Sequence, residues 1–175
     1  MNYPFTEADS ERAYNEWGAN CGPNALAFAT RKHIDDMRGV IPGFEEKRYT
    51  SPTMMADALS SLGVRYCRLE RSGRCTTAEM FTGMETLVRV QWCGPWTAPG
   101  ANPKWAYRQT HWITCWLAIS ERNGGERARM VFDVNGGIAT FGTWCDLIVP
   151  ILTSQMPSAD GTWFPTHAWR LDGRS

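Results

Sequence analysis

The sequence has no run of roughly eighteen or more apolar residues, so no stretch of it reads as a membrane-spanning helix. Its opening residues, MNYPFTEADSERAYNEW, are polar and acidic and lack the apolar core of a secretory signal. Net charge is missing as well. The 18 Lys and Arg balance 18 Asp and Glu, which removes any overall electrostatic pull toward nucleic acid or an anionic membrane. No two of the six cysteines form a C-x-x-C pair and only three histidines are present, so zinc-site spacing is absent and neither a metal nor a cofactor is expected. Without an export signal, Cys21, Cys67, Cys75, Cys93, Cys115 and Cys145 read as free thiols of a reducing, cytoplasmic compartment rather than as a disulfide frame. Repeats and low-complexity tracts are also lacking. A chain of 175 residues with this profile is expected to be a single domain spanning 1–175.

What is present is the composition of a folded protein, with 43% hydrophobic and 21% charged residues, which argues against wholesale disorder. Residues 1–14 read as an N-terminal extension. Pro23 suits the first turn of a helix, and Leu26, Ala29 or Thr30, Ile34 and Met37 recur at helical steps, predicting a helix that closes at Gly39. FEEKRYTSP reads as a surface connection. A second helix is expected from about Thr53, with Met54, Met55, Ala58, Leu59 and Leu62 on one side and Gly63 as its stop.

Val64 to Leu69 reads as a short strand, and Thr76 with Glu79 offers a capping box for a third helix start. The strand TLVRVQW follows. Residues 93–110, with three prolines, Trp96, Trp105 and Tyr107, read as a long aromatic loop. HWITCWLAIS and RMVFDV form a predicted hairpin with a turn at Gly124 and Gly125. NGG at 135–137 ends it, TFGTWCDLIVPIL is a short helix or irregular cover, and THAWRL is expected as a last edge strand. Helices early and strands late predict an α+β protein with helices packed on an antiparallel sheet.

Cys21 stands where a loop becomes a helix. There, unpaired N–H groups and the positive end of the helix dipole favour a thiolate, while Gly22 would leave room for a substrate and Pro23 starts the helix. A cysteine in this place is either an activated nucleophile or a packed helix cap. An activated thiol needs a base and the base an orienting partner. His111 opens an apolar strand and Asp133 lies near the end of the next one, so a hairpin would set them side by side. His33 falls too far down the first helix to reach Cys21, and His167 belongs to the C-terminal strand.

Cys-Gly-Pro at a helix start, then a histidine opening a strand, then an aspartate on the next strand, resembles the papain-like cysteine peptidases. Among them the chain looks most similar to free-standing relatives of the bacterial double-glycine leader peptidases. Asn20, Cys21, Gly22, Pro23 and Leu26 match that family's D/N-C-G-P/V-x-x-L stretch, and His111, Trp112 and Ile113 match its histidine strand. The third member falls on Asp133 in FDVNGG, with Asn135 as the alternative. The family's oxyanion-hole glutamine lies six residues before the cysteine, where this sequence has Asn15, and Val134 stands where a proline usually follows the acid.

The resemblance implies a papain-like domain that cleaves a peptide or isopeptide bond of a peptide or protein substrate through Cys21, His111 and Asp133. Asn15 would serve in the oxyanion hole, and no nucleic acid, membrane, metal or cofactor would take part. A narrow cleft lined by Trp17, Gly22, Trp112 and the 93–110 loop would favour small residues at the scissile bond. The same triad would also serve an acyl or amide transferase similar to the transglutaminases. A catalytically idle papain-like domain that binds a partner through its tryptophans is the remaining alternative.

Overall fold

A computed structural model describes residues 4–69, 75–120 and 126–172 of the chain. The predicted turn at Gly124 and Gly125 lies outside the described residues. The structure is α+β: helices come first, and a six-stranded antiparallel sheet in the order β1-β6-β2-β3-β4-β5 follows. Its strands are β1 (Tyr66–Arg68), β2 (Thr86–Trp92), β3 (Thr110–Ser120), β4 (Glu126–Asp133), β5 (Gly137–Thr140) and β6 (Trp163–Leu171). The C-terminal strand is therefore not an edge. It runs between β1 and β2, and the edges are β1 and the short β5, which had not been expected.

The N-terminal extension contains a helix, α1 (Glu7–Trp17). Thr6 and Asp9 cap it reciprocally, as Thr76 and Glu79 cap the segment expected to start a third helix, which is a short 3₁₀ turn, Thr77–Met80. Next comes α2 (Cys21–Thr30), whose side chains are buried at every position after Cys21. It ends well before Met37 because Arg31 turns left-handed at φ 54°, and Lys32 N–H closes back on the Ala27 carbonyl. Ile34 and Met37 are buried as the helical spacing implied, but from a separate 3₁₀ turn, Ile34–Met37, which His33 caps through Nδ1. Within the stretch read as a surface connection lies a one-turn helix, α3 (Phe44–Lys47), with Phe44 and Thr50 buried. The helix α4 (Pro52–Ser61) follows, capped by Ser51, and it buries Met54, Met55, Ala58 and Leu59.

Alternation along the strands divides the interior into two cores. Leu87, Trp112, Trp116, Phe132 and Trp169 face α1, α2 and α4. On the opposite face, Val88, Val90, Trp92, Ile113, Cys115, Val131 and Ala168 pack against a helical run at 141–154, made of α6 (Phe141–Thr143), a π turn (Trp144–Ile148) and α7 (Val149–Ser154). The 93–110 loop carries its own short helix, α5 (Pro103–Ala106), and Gln91 pins the loop by donating from Nε2 to the carbonyls of Ala106 (3.0 Å) and Gln109 (2.8 Å). None of the six cysteines is in a disulfide. Among the described residues no helix is long and apolar enough to cross a membrane.

The first turn of α2 is fixed by close packing. A Cβ placed on Gly22 would lie 2.1 Å from Thr50 Oγ1 and 2.7 Å from its Cβ, and both belong to a buried, β-branched side chain with little room to move. The glycine thus makes room for Thr50 rather than for a substrate. Replacing glycine by alanine inside an unobstructed helix stabilises by about 1 kcal/mol, whereas overpacking costs about 1–3 kcal/mol. Gly22→Ala is therefore expected to lower the urea midpoint with an unchanged m-value; a raised midpoint would show that Thr50 does not close this position.

Candidate active site

Asn20 sets the start of α2. Its Oδ1 accepts from Gly22 N–H at 3.1 Å, its Nδ2 donates to the Arg48 carbonyl at 2.9 Å, and its own carbonyl accepts from Asn24 Nδ2 at 3.0 Å. With Asn20 tied to the α3 segment, Cys21 becomes the first helical residue and is half-buried, in the place where backbone donors lack helical partners. From below, Thr114 Oγ1 of β3 donates to the Ala25 carbonyl at 2.9 Å and fixes the helix over the sheet.

His111 sits at the start of β3, opposite Val90 of β2, with only 7% of its surface exposed. Its Nε2 donates to Asp133 Oδ1 at 2.9 Å, which leaves Nδ1 as the ring nitrogen available to Cys21, whose sulfur lies within reach of the His111 charge. The helix start and the two strands thus gather Cys21, His111 and Asp133 into one cluster, in which the His111–Asp133 hydrogen bond is the fixed contact.

Asp133 is wholly buried and well supplied with donors. Oδ1 also accepts from Asn135 N–H (2.9 Å) and Asn135 Nδ2 (3.2 Å), and Oδ2 accepts from the Trp144 indole Nε1 (2.8 Å). Burial by itself would raise this carboxyl, but the His111 charge and these donors hold it below its ordinary value. For His111, burial opposes protonation, and the charges of Asp133 and Cys21 override it to hold the imidazole well above its usual range. Burial likewise opposes the Cys21 thiolate, and the His111 charge beside it brings the thiol below its ordinary value. These directions together favour a Cys21 thiolate beside a protonated His111.

The remaining expected site residues fall elsewhere. Asn135 supports Asp133 and does not take its place against His111. Asn15 lies exposed on the last turn of α1, on the side opposite the buried Ala13 and Trp17. Trp17 is no cleft wall: it is 2% exposed and its ring meets Phe44 edge-on at 6.0 Å, because the α1 core needs an anchor against α3. The Trp112 ring is also buried, its indole donating to the Thr50 carbonyl at 2.9 Å, so it does not line a cleft. Of the proposed cleft, the 93–110 loop keeps exposed aromatics, Trp105 and Tyr107. His33 and His167 lie away from the chain of contacts, His33 capping a 3₁₀ turn and His167 opposite Arg89 in β6. Among the described residues no three His, Cys, Asp or Glu side chains are grouped as a metal ion would require. No family model matches the chain, and no curated protein matches it.

Trp144 was not singled out in the sequence, because nothing near it distinguishes an indole that donates to a carboxylate from one that fills a core. Trp144→Phe keeps the ring and removes that donor, leaving one oxygen of a buried carboxylate short of a partner at a cost of about 1–3 kcal/mol. Asp133 is lowered in the folded state, so its stabilising effect is full above its unfolded value of about 3.9 and is lost as pH falls through the folded one. The stability difference between wild type and Trp144→Phe, measured by denaturant unfolding, is expected to be widest near pH 7 and to shrink below about pH 4. A difference that does not change with pH would mean that the indole only packs.

Proposed function

We propose that the protein is a papain-like cysteine peptidase or isopeptidase that cleaves an amide bond through a thioester on Cys21. The observation that carries this reading is the buried His111–Asp133 hydrogen bond beside Cys21, which stands at a helix start within reach of the His111 charge. The α+β architecture is compatible with it, since a buried helix bearing the cysteine packs on an antiparallel sheet bearing the histidine and the acid.

In this reading the Cys21 thiolate attacks the scissile carbonyl carbon and forms a C–S bond, and the carbonyl electrons move onto oxygen. The backbone N–H of Cys21, with no helical partner, would donate to that oxyanion; Asn15, exposed on the outer side of α1, does not supply a second donor. Collapse of the intermediate breaks the C–N bond while His111 gives its Nδ1 proton to the departing amine. Water then attacks the thioester as His111 takes its proton, releasing the acid and restoring the ion pair. Asp133 keeps Nε2 protonated throughout and so fixes the tautomer that these transfers need.

Labelling with iodoacetamide, read residue by residue by mass spectrometry, tests the ion pair without a known substrate. Cys21 is expected to react fastest of the six thiols. Cys115 and Cys145, whose thiols burial pushes up, are expected to lag. Because Cys21 is lowered and His111 raised, the Cys21 rate should rise at lower pH than for a free thiol and rise again only when His111 loses its proton above its usual range. His111→Ala is expected to slow Cys21 labelling at pH 7 about tenfold or more. Slow labelling of Cys21 with an ordinary thiol profile would overturn the reading. Peptide-library cleavage with an added amine separates hydrolysis from acyl transfer by whether the product carries the amine.

A further inference from the structure

Arg89 occupies the middle of β2, opposite Trp112 of β3 on one side and His167 of β6 on the other. It is 4% exposed. Leu87 and Gln91 precede and follow it on the same face, and each suits its surroundings, Leu87 by packing in the core and Gln91 by hydrogen-bonding loop carbonyls. Arg89 does neither. Its Nη1 meets Thr166 Oγ1 at a long 3.4 Å, its buried Nε has no hydrogen-bond partner, and among the described residues no Asp or Glu forms an ion pair with it. A buried guanidinium left so poorly matched is costly, and an aliphatic side chain would fill this position without that cost.

Its surroundings point to the site. The guanidinium carbon lies 5.3 Å from the centre of the Tyr107 ring, on the 93–110 loop, and Tyr107 is exposed, so the cation sits directly beneath a solvent-facing rim. Its register partner Trp112 directly follows His111, and the next residue of β2, Val90, pairs with His111 itself, so Arg89 lies beside the His111 end of β3, within reach of the Cys21 charge. The charges already present do not use it: the Cys21 sulfur has the His111 charge beside it, and Asp133 is encircled by its own donors. What remains is a planar fork of N–H donors, near the Cys21–His111 pair, that no Asp or Glu among the described residues fills, and a carboxylate fits such a fork with two parallel hydrogen bonds.

We infer that Arg89 is the specificity-determining residue of the Cys21 site and that it recognises a substrate carboxylate close to the scissile bond. The inference rests on the reading of Cys21 as a nucleophile. A peptide can supply that carboxylate from an Asp or Glu side chain or from its free C-terminus, and Arg89 would bind either by the same chemistry.

Two alkylating agents of similar size test this directly: iodoacetate carries the carboxylate, and iodoacetamide replaces it with a neutral amide. The ratio of their second-order rates at Cys21 is expected to be about tenfold higher in wild type than in Arg89→Met, with Arg89→Lys between them. An unchanged ratio in a folded Arg89→Met protein overturns the inference. Wild type alone gives a second reading that does not depend on any variant's folding. N-acetylglycinate should protect Cys21 from iodoacetamide at concentrations where N-acetylglycinamide does not; equal protection, or none by either, overturns the inference. Slow reaction of wild-type Cys21 with both agents instead removes the nucleophile reading, and this inference with it. Once a cleavable peptide is in hand, kcat/KM for Glu against Gln variants, and for free against amidated C-termini, identifies the source: Arg89→Met should abolish the preference within one of these pairs.

Discussion

A carboxylate withdrawn from water must be surrounded by donors, and much of this structure is arranged to meet that demand at Asp133. Its four donor atoms come from three directions: an imidazole on the neighbouring strand, the turn that follows β4, and an indole from the helical run beneath the sheet. Each contact fixes an element. The bond to His111 sets the ring plane at the start of β3, the Asn135 contacts close the turn into β5, and Trp144 ties the helical run to the sheet. The thiol inherits its environment from this arrangement, because the imidazole charge that favours a thiolate at Cys21 is itself maintained by Asp133.

The two-sided sheet explains why the site lies where it does. Strand alternation gives one core to α1, α2 and α4 and the other to the 141–154 run, so a residue at the end of a strand is the place where groups from both layers meet. His111 is such a residue. Its ring lies near Trp92, with centroids 5.9 Å apart, a member of the lower core, while its charge acts on the thiol at the start of a helix of the upper one. α2 is buried on all sides except at Cys21, and the same tight packing that makes it central, with Thr50 against Gly22 and Thr114 against Ala25, leaves little freedom for the sulfur to drift. Preorganisation of the thiolate is therefore a consequence of core packing. Arg89 is a charged group that this packing leaves poorly matched to its surroundings, and it lies on the face of the sheet that α2 covers.

Local chemistry dictated much of the architecture. β2 runs over the very residues of TLVRVQW, a largely apolar, β-rich segment between Gly83 and Gly94, and the cap at Thr76 is satisfied by Glu79 as the spacing required. The helix through Met54, Met55, Ala58 and Leu59 and the hairpin that pairs β3 with β4 were equally legible. α1 is not legible although Thr6 and Asp9 carry the same capping signal, because few apolar residues recur along it. Ile34 and Met37 continue the helical spacing and so suggest a longer first helix, whereas the left-handed backbone at Arg31, a residue type that rarely marks such a turn, has no local signature.

The sequence by itself determined the candidates: a cysteine at a helix start, a histidine opening a strand and an aspartate at the end of the next, all fixed by short-range rules of capping and alternation. Only the tertiary structure decided their company. That β6 lies inside the sheet, that Trp144 reaches Asp133, that Trp17 and Trp112 are buried rather than lining a cleft, and that Arg89 is buried opposite Trp112 with no ion pair among the described residues all depend on pairings between residues far apart in the chain. Strand order and the packing of distant side chains arise from the burial of the whole apolar surface at once, and no segment carries that information alone.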